Sequence, residues 1–423
     1  MKFSSAVRRK LSAIFELRED SDFFALLDLQ LVVSAIRVRS RRLVVLVPFR
    51  LYQLLLPIQC TIWLVRIWVV AAFERNTALA ISLTCGGLAV TSILLRYGLM
   101  LHCCEKFGAV RAYINARRFL RGHPMAHAIR QQAFRTNNLI LVLLQLVGLI
   151  NVFVFTAFDV HQHEVFRIPD YIRRTSEPLF WAMHVTVQPM VLCGLATLTG
   201  TFLVPNALLI GLHAELQLVQ FAFERALQLA DTRVRQKDHQ LDAEARADLI
   251  WHTLDHELGC CVREHCVVLQ YVRKVRQTMS FSVTVQYFTA LLALAVDGFF
   301  ISYQGFDFVV FMVVVYSMLL VFEWFYCCKL VEDLQAIHHR IGSTLYHGNW
   351  PAWLACSERH RSSLRQFRDT LCTVLAVSQR SLSCHGSAIV EVSWRTFSNL
   401  FKTSYSVLMF LIELRRMNRA NIQ

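Results

Sequence analysis

The 423-residue chain is 55% hydrophobic and only 17% charged, with a mean hydropathy of +0.42. That is too apolar for a single soluble core and too interrupted for a fibrous protein, so the composition defines an all-α, polytopic membrane protein. The formal net charge of +14 then follows from topology and requires no nucleic-acid partner.

Residues 1–42 mix bases and acids (Arg8, Arg9, Lys10, Glu16, Glu19, Asp20) ahead of a late first apolar run, which is not the pattern of a cleavable signal peptide. They read as a cytoplasmic amino-terminal segment. Transfer-scale windows then predict seven spans, near 50–73, 78–102, 138–158, 179–211, 279–303, 307–328 and 387–412. The organisation is therefore a segment 1–42, spans one to four in 43–212, cytosolic helical extensions in 213–278 and spans five and six in 279–328. Cytosolic anchor helices follow in 329–386, and the last span with a short outside tail in 387–423.

Of the 39 Lys and Arg residues in loops and termini, an inside amino terminus places 32 on the inner side. Only the tail, with Arg415, Arg416 and Arg419, pulls the other way. Within the spans, Arg50, Arg66 and Arg96 fall near helix ends and read as anchors that snorkel to the interface. Arg395 and Lys402 have no such exit, because the last span is already poor in apolar residues.

Between the spans, 206–230 and 247–277 keep helical patterning, and span six runs on from Trp324 to Leu345. Leu364, Phe367, Leu371 and Val374 form an apolar stripe at helical spacing, with Leu375 beside it. The expectation is a cytosolic helical anchor layer whose stripe is a subunit interface.

None of the 13 cysteines falls in a predicted outside loop, and Cys103-Cys104, Cys260-Cys261 and Cys327-Cys328 read as free thiols in reducing surroundings. Cys260, Cys261, His265 and Cys266 lack the separated ligand pairs of a structural zinc site. His161-Gln162-His163 reads as a solvated outside loop. No GxSxG, Walker loop or HExxH is present, so the expectation is no enzyme, no metal and no cofactor.

The final stretch, Thr396-Phe397-Ser398-Asn399-Leu400-Phe401-Lys402-Thr403-Ser404-Tyr405-Ser406, resembles the carboxyl-terminal pattern of insect odorant receptors, as do Phe325-Tyr326-Cys327, Glu332, Leu334, Tyr346 and Trp350 upstream. Val331 stands where that family often has Gly. The related gustatory receptors end in a Thr-Tyr and a later Gln-Phe, where this chain has Ser404-Tyr405 and Leu411-Ile412. Lacking the longer cytosolic insertion of the family's shared co-receptor, the chain resembles a ligand-tuned subunit.

The resemblance implies a seven-span, odorant-gated, non-selective cation channel in the plasma membrane of an olfactory neuron dendrite. Its partners would be co-receptor subunits in a heterotetramer, a small volatile ligand and the lipid bilayer. It implies a ligand pocket in the outer halves of spans two, three, four and six, which here hold Ser82, Asn151, Val152, Phe155, His184, Val187, Gln188, Phe311, Met312, Val315 and Tyr316. It also implies that the last helix lines the pore. At 100° per residue, Phe401, Tyr405, Leu408 and Ile412 share one face, with Ser398 a turn deeper and Lys402 and Met409 at its edge. Leu408 and Ile412 would be an apolar gate that opens on wetting, with Tyr405 below it. Against a G-protein-coupled receptor stand the inside amino terminus and the lack of Asp-Arg-Tyr and Asn-Pro-x-x-Tyr motifs. Against a transporter stands the lack of repeats or broken helices.

Overall fold

The computed structural model describes residues 14–19, 21–38, 40, 42–69, 77–157, 168, 170–237, 243–303, 307–348, 361–382, 385–386 and 390–420. Outside that description lie Arg8, Arg9, Lys10, Asp20, His161 to His163 and Trp350, and the side chains of Ser82, Val187, Gln188, Leu364 and Arg419.

In chain order the elements are α1 (Ala25–Val33), α2 (Leu43–Val69), α3 (Thr77–Cys103), α4 (Gly108–Ala116), α5 (Pro124–Ala157), α6 (Asp170–Thr175), α7 (Glu177–Lys237), α8 (Ala243–Tyr303), α9 (Phe308–Tyr346), α10 (Arg361–Ser378), β1 (His385–Gly386), β2 (Val390–Glu391) and α11 (Trp394–Ala420). Among the described residues, six helices are long and apolar enough to cross a bilayer: α2, α3, α5, α7, α8 and α9. The seventh, α11, is also long enough at 27 residues.

The apolar window of α7 is 94% buried, against 18% for α2 and 28% for α5 and α9. Span four is therefore the axis of the bundle. With 61 residues each, α7 and α8 are about 90 Å long at 1.5 Å per residue, some three times the hydrocarbon thickness of about 30 Å. Only part of each can lie in lipid, 179–211 and 279–303 by hydropathy, and the rest projects as a layer on the basic, inner side.

Buried charge holds that layer together. Arg130 of α5 grips Glu215 of α7 through Nε and Nη2 at 2.7 and 2.8 Å and also donates to the Phe119 carbonyl. Arg111 of α4 reaches Asp28 of α1 at 2.6 Å and lies over the Phe24 ring at 4.8 Å. Tyr113 of α4 stacks on Tyr271 of α8 at 4.5 Å and donates its hydroxyl to Glu264. A β-carbon at Gly211 would come within 2.7 Å of Ile114, so a glycine sets how closely α4 approaches α7.

The described part of the amino-terminal segment docks into the bundle through α1. Phe24, Leu27 and Leu31 are buried, and Gln30 donates to the Ala196 carbonyl at 2.8 Å and to Thr199 at 2.9 Å. Those partners sit within span four, so α1 penetrates below the surface of the bundle. Pro57, which lacks an N–H, leaves the Gln53 carbonyl without its helical donor. The Tyr97 hydroxyl of α3 sits 3.4 Å from it.

The predicted start of the last span at 387 is corrected to Trp394. His385 pairs with Glu391 and Gly386 with Val390 in a short antiparallel hairpin. Alternation along it places Val390 and Val392 in the core, 3% and 2% exposed, with Glu391 outward, which is a strand period and not a helical one. Span three likewise begins 14 residues before the apolar window, at Pro124, the first helical turn being where proline fits.

Candidate functional site

On the outer side the predicted pocket residues whose side chains are described fall in more than one place. Phe155 of α5 packs with Phe300 of α8 and Val309 and Val310 of α9, with Met312 against the same cluster. Asn151 is buried, and its amide donates to the Val147 carbonyl one turn back at 3.0 Å. Val152 and Val315 are half-buried and Phe311 is 39% exposed. His184 lies elsewhere on this side. Its ring stacks on Phe180 at 6.3 Å and meets Trp181 edge-on at 5.8 Å, beside a cluster of Ile168, Ile172 and Met183. The structure thus joins Phe155 to Met312 and leaves His184 apart, because residues four apart on one helix satisfy each other locally. Phe300, Val309 and Val310 belong to the first cluster and were not predicted.

Deeper in the bundle, three helices each contribute a polar stripe. Ser92 and Arg96 of α3 are four residues apart, as are Thr197 and Thr201 of α7, while Tyr316 and Glu323 of α9 are seven apart; each spacing returns to one face. Arg96 Nη1 donates to both Glu323 carboxylate oxygens, at 3.0 and 2.7 Å. The two side chains are 1% and 9% exposed. The reading of Arg96 as a snorkelling anchor is therefore corrected. A partner carboxylate in span six lets it stay in the interior, where an unpaired charge would be prohibitive.

Around the pair, Arg96 Nε and Nη2 are buried without a hydrogen-bond partner among the described residues, while the buried hydroxyls of Ser92 and Tyr316 have each other and that of Thr197 has the Cys193 thiol. Each of the two guanidinium nitrogens costs about 1–3 kcal/mol while unmet. The Tyr316 hydroxyl sits next to Ser92, within the electrostatic reach of Arg96, Asp297 and Glu323. Asp297 of α8 in turn accepts from Ser317 at 2.8 Å. A sequence signal for this centre exists: Arg96, Asp297 and Glu323 each interrupt an apolar run, and an ionisable residue within a span invites a search for its partner.

In the inner layer, α10 lies against α8 and α9. Leu371 and Val374 are each 5% exposed, and with Phe367, Phe223, Leu254 and Leu345 they line a groove of about 230 Å³. The stripe read as a subunit contact is thus largely covered within its own chain, because an 18-residue amphipathic helix finds its apolar partner in the nearest helices. His265 Nε2 lies 3.4 Å from His338 Nδ1, and His338 Nε2 donates to the Val377 carbonyl at 3.0 Å, tying α8, α9 and the end of α10. His265 lies 14 residues before the lipid-spanning part of α8 and its pKa is pushed down to about 4, first by burial and then by His338.

The last helix has two unlike sides. One is fastened to the bundle: Leu400 is fully buried, Ser404 donates to the Leu291 carbonyl at 3.1 Å, and Val407 packs against the main core. A β-carbon at Gly298 would lie 3.1 Å from Leu408 Cδ2, so Leu408 rests on α8 at the edge of this side, and both it and Ile412 are half-buried. The other side exposes Phe401 (41%), Tyr405 (62%), Met409 (45%) and Phe410 (63%) together with Lys402 and Ser406.

The architecture defines an all-α, seven-span, multi-pass membrane protein with a buried polar centre and a helical layer at one end. The family description 7tm Odorant receptor matches residues 58–405. The chain belongs to that family, one of receptors and not of enzymes. It is similar in structure to the insect olfactory receptor OR5 from Machilis hrabei in complex with eugenol, with a TM-score of 0.71 at 14% identity over 93% of this chain and 100% of that chain. A second structure of OR5 from Machilis hrabei gives 0.70 at 15% identity with the same coverage. At such identity the likeness concerns the fold. No curated protein matches the chain.

Proposed function

We propose that this odorant receptor is the ligand-tuned subunit of a non-selective cation channel in the plasma membrane, working in a heterotetramer with a shared co-receptor. A volatile ligand enters the outer half of the bundle, and α11 lines the pore.

The two-sided character of α11 carries this reading. Lys402, Ser406 and Tyr405 face away from the bundle on a helix of membrane-spanning length. Facing lipid, a lysine near mid-helix costs roughly 2.5–3.5 kcal/mol on insertion scales. Around a water-filled axis shared by several copies that cost largely disappears. Leu408 and Ile412 then form the apolar constriction, with Tyr405 below it.

For the ligand, Phe155 and Met312 with Phe300, Val309 and Val310 supply apolar walls, and Tyr316 supplies the hydrogen-bonding group that small pockets use for orientation. Ser82, Asn151, Val152, Val187, Gln188, Phe311, Val315 and His184 complete the proposed outer region. The stripe of Leu364, Phe367, Leu371 and Val374 serves assembly by holding the inner layer in the shape that neighbouring subunits meet. That eugenol is bound by OR5 of Machilis hrabei supports a small-molecule ligand for a chain of this fold.

Recording odorant-evoked currents from cells expressing the chain with and without the co-receptor tests the proposal. Currents that require both are expected. A response carried through G-protein signalling with no channel current would overturn it.

A further inference from the structure

Among the described residues, the outer clusters around Phe155 and Met183 are built of apolar side chains, which do not distinguish an oxygenated ligand from a hydrocarbon of the same shape. The polar centre beneath them does. Its contents are unequal: Glu323 spends both carboxylate oxygens on Arg96 Nη1, while Arg96 Nε and Nη2 are left unpartnered and buried, and the adjoining Ser92 and Tyr316 hydroxyls, paired with each other, keep one O–H to give. Ser92 and Arg96 are each 1% exposed and Thr197 fully buried.

We infer that the Arg96, Ser92 and Tyr316 donors form a recognition site for the acceptor oxygen of a neutral carbonyl ligand, such as a ketone, aldehyde or ester. The inference rests on the proposed odorant-gated function and names the ligand class for it. Three features of the site lead there. The unpartnered guanidinium nitrogens can only donate and the hydroxyls donate readily, so the guest must accept. The charge of Arg96 is already balanced by Glu323, so an ionised carboxylic acid would bring an unbalanced negative charge into low dielectric. An ammonium would bring only donors to donors. A carbonyl oxygen on a hydrocarbon body meets each condition, with its chain directed toward Phe155, Phe300 and Met312.

The test uses a series of medium-chain methyl ketones, each paired with the alkene in which a methylene replaces the carbonyl oxygen. The ratio of half-maximal concentrations within a pair cancels surface expression and most packing effects. Wild type should favour the best ketone over its alkene by about tenfold, as one to two hydrogen bonds lost from a buried site would give. Tyr316→Phe and Ser92→Ala, which delete a hydroxyl and little volume, should each bring the ratio close to one.

Thermal unfolding of the purified receptor complex with the same pairs provides a readout independent of gating. Ketone-selective stabilisation without current leaves this site standing and removes the channel reading. Currents that respond equally to ketone and alkene remove the site and leave the channel reading. A wild-type receptor whose unfolding midpoint does not distinguish ketone from alkene, as water-filled hydroxyls alone would give, overturns the inference. So does a ketone-to-alkene ratio that stays at its wild-type value in both variants.

Discussion

Leu408 is where single-residue physics and proposed gating meet. It rests against Gly298 of α8, whereas Val407, about 100° round the helix, is packed into the main core. A serine at 408 should stabilise water in a hydrophobic throat and raise the basal current per surface channel, and a serine at Ile412 should act alike. Val407→Ser should instead lower surface yield as a packing defect, on the order of 1–3 kcal/mol. If Val407→Ser opens the pore and Leu408→Ser does not, the proposed facing of α11 is wrong. Glu323→Ala tests the polar centre differently. Removing one partner of a buried pair costs about 3–5 kcal/mol, so the variant should be retained inside the cell, and the double variant Arg96→Met with Glu323→Leu should recover part of the surface signal. A Glu323→Ala receptor that reaches the surface at wild-type levels would show the pair to be dispensable. Neither Arg96 nor Glu323 declared its partner in the sequence, since 227 positions separate them.

At the scale of elements, α10 is held to α9 through a close contact. A β-carbon at Gly342 would collide with the Ser378 hydroxyl and lie 3.0 Å from its Cβ, while that hydroxyl donates to the Leu375 carbonyl at 2.8 Å. Gly342→Leu should therefore push α10 off α9 and expose the groove that Leu371 and Val374 line. Leu371→Asp should do the same by burying a charge. Both should lose co-purification with partner subunits and gain protease cleavage within 361–378. Loss of co-purification with unchanged cleavage would return Leu371 to a direct interface role. The apolar stripe on α10 was legible from its spacing, because a helical period is a local property. What it faces was not, because a covered stripe reads alike whether its own chain or a neighbour covers it.

For the whole molecule, the asymmetry of Lys and Arg predicts that an epitope at Met1 needs permeabilisation for labelling and one at Gln423 does not. The reverse pattern would defeat the channel topology and reopen a G-protein-coupled reading. The inner layer should also respond to acid. Burial pushes both His265 and His338 down, His265 to about 4, so the unfolded chain binds more protons than the folded one below about pH 6.5, and for His265 this window reaches down to about pH 4. Stability from this pair is complete above about pH 6.5, the ordinary histidine value, and declines as pH falls through that window, by roughly 1 kcal/mol per unit. Hydrogen exchange of α10 at pH 7.5 and 5.5 checks it: faster exchange at the lower pH is expected, and His338→Gln should reduce the difference. An equal pH response in that variant would assign the acid sensitivity to other groups.

Composition, periodicity and charge asymmetry are properties that a chain carries along its length, and they were sufficient for the class of fold, the number of spans and the continuation of span six into the inner layer. The family, too, was readable from the end of the chain, where Thr396 to Ser406 are contiguous. Tertiary structure decided the rest. It set which side of α11 is fastened to Leu291 and Gly298, drew α1 into the bundle, and separated His184 from Phe155. It also turned Arg96 from a supposed lipid anchor into half of a buried pair. The reason is that lipid exposure, burial and charge pairing depend on neighbours supplied by remote parts of the chain. A hydropathy window sees a lone arginine in span two, and only packing brings to it the glutamate of span six and the hydroxyls that surround them both.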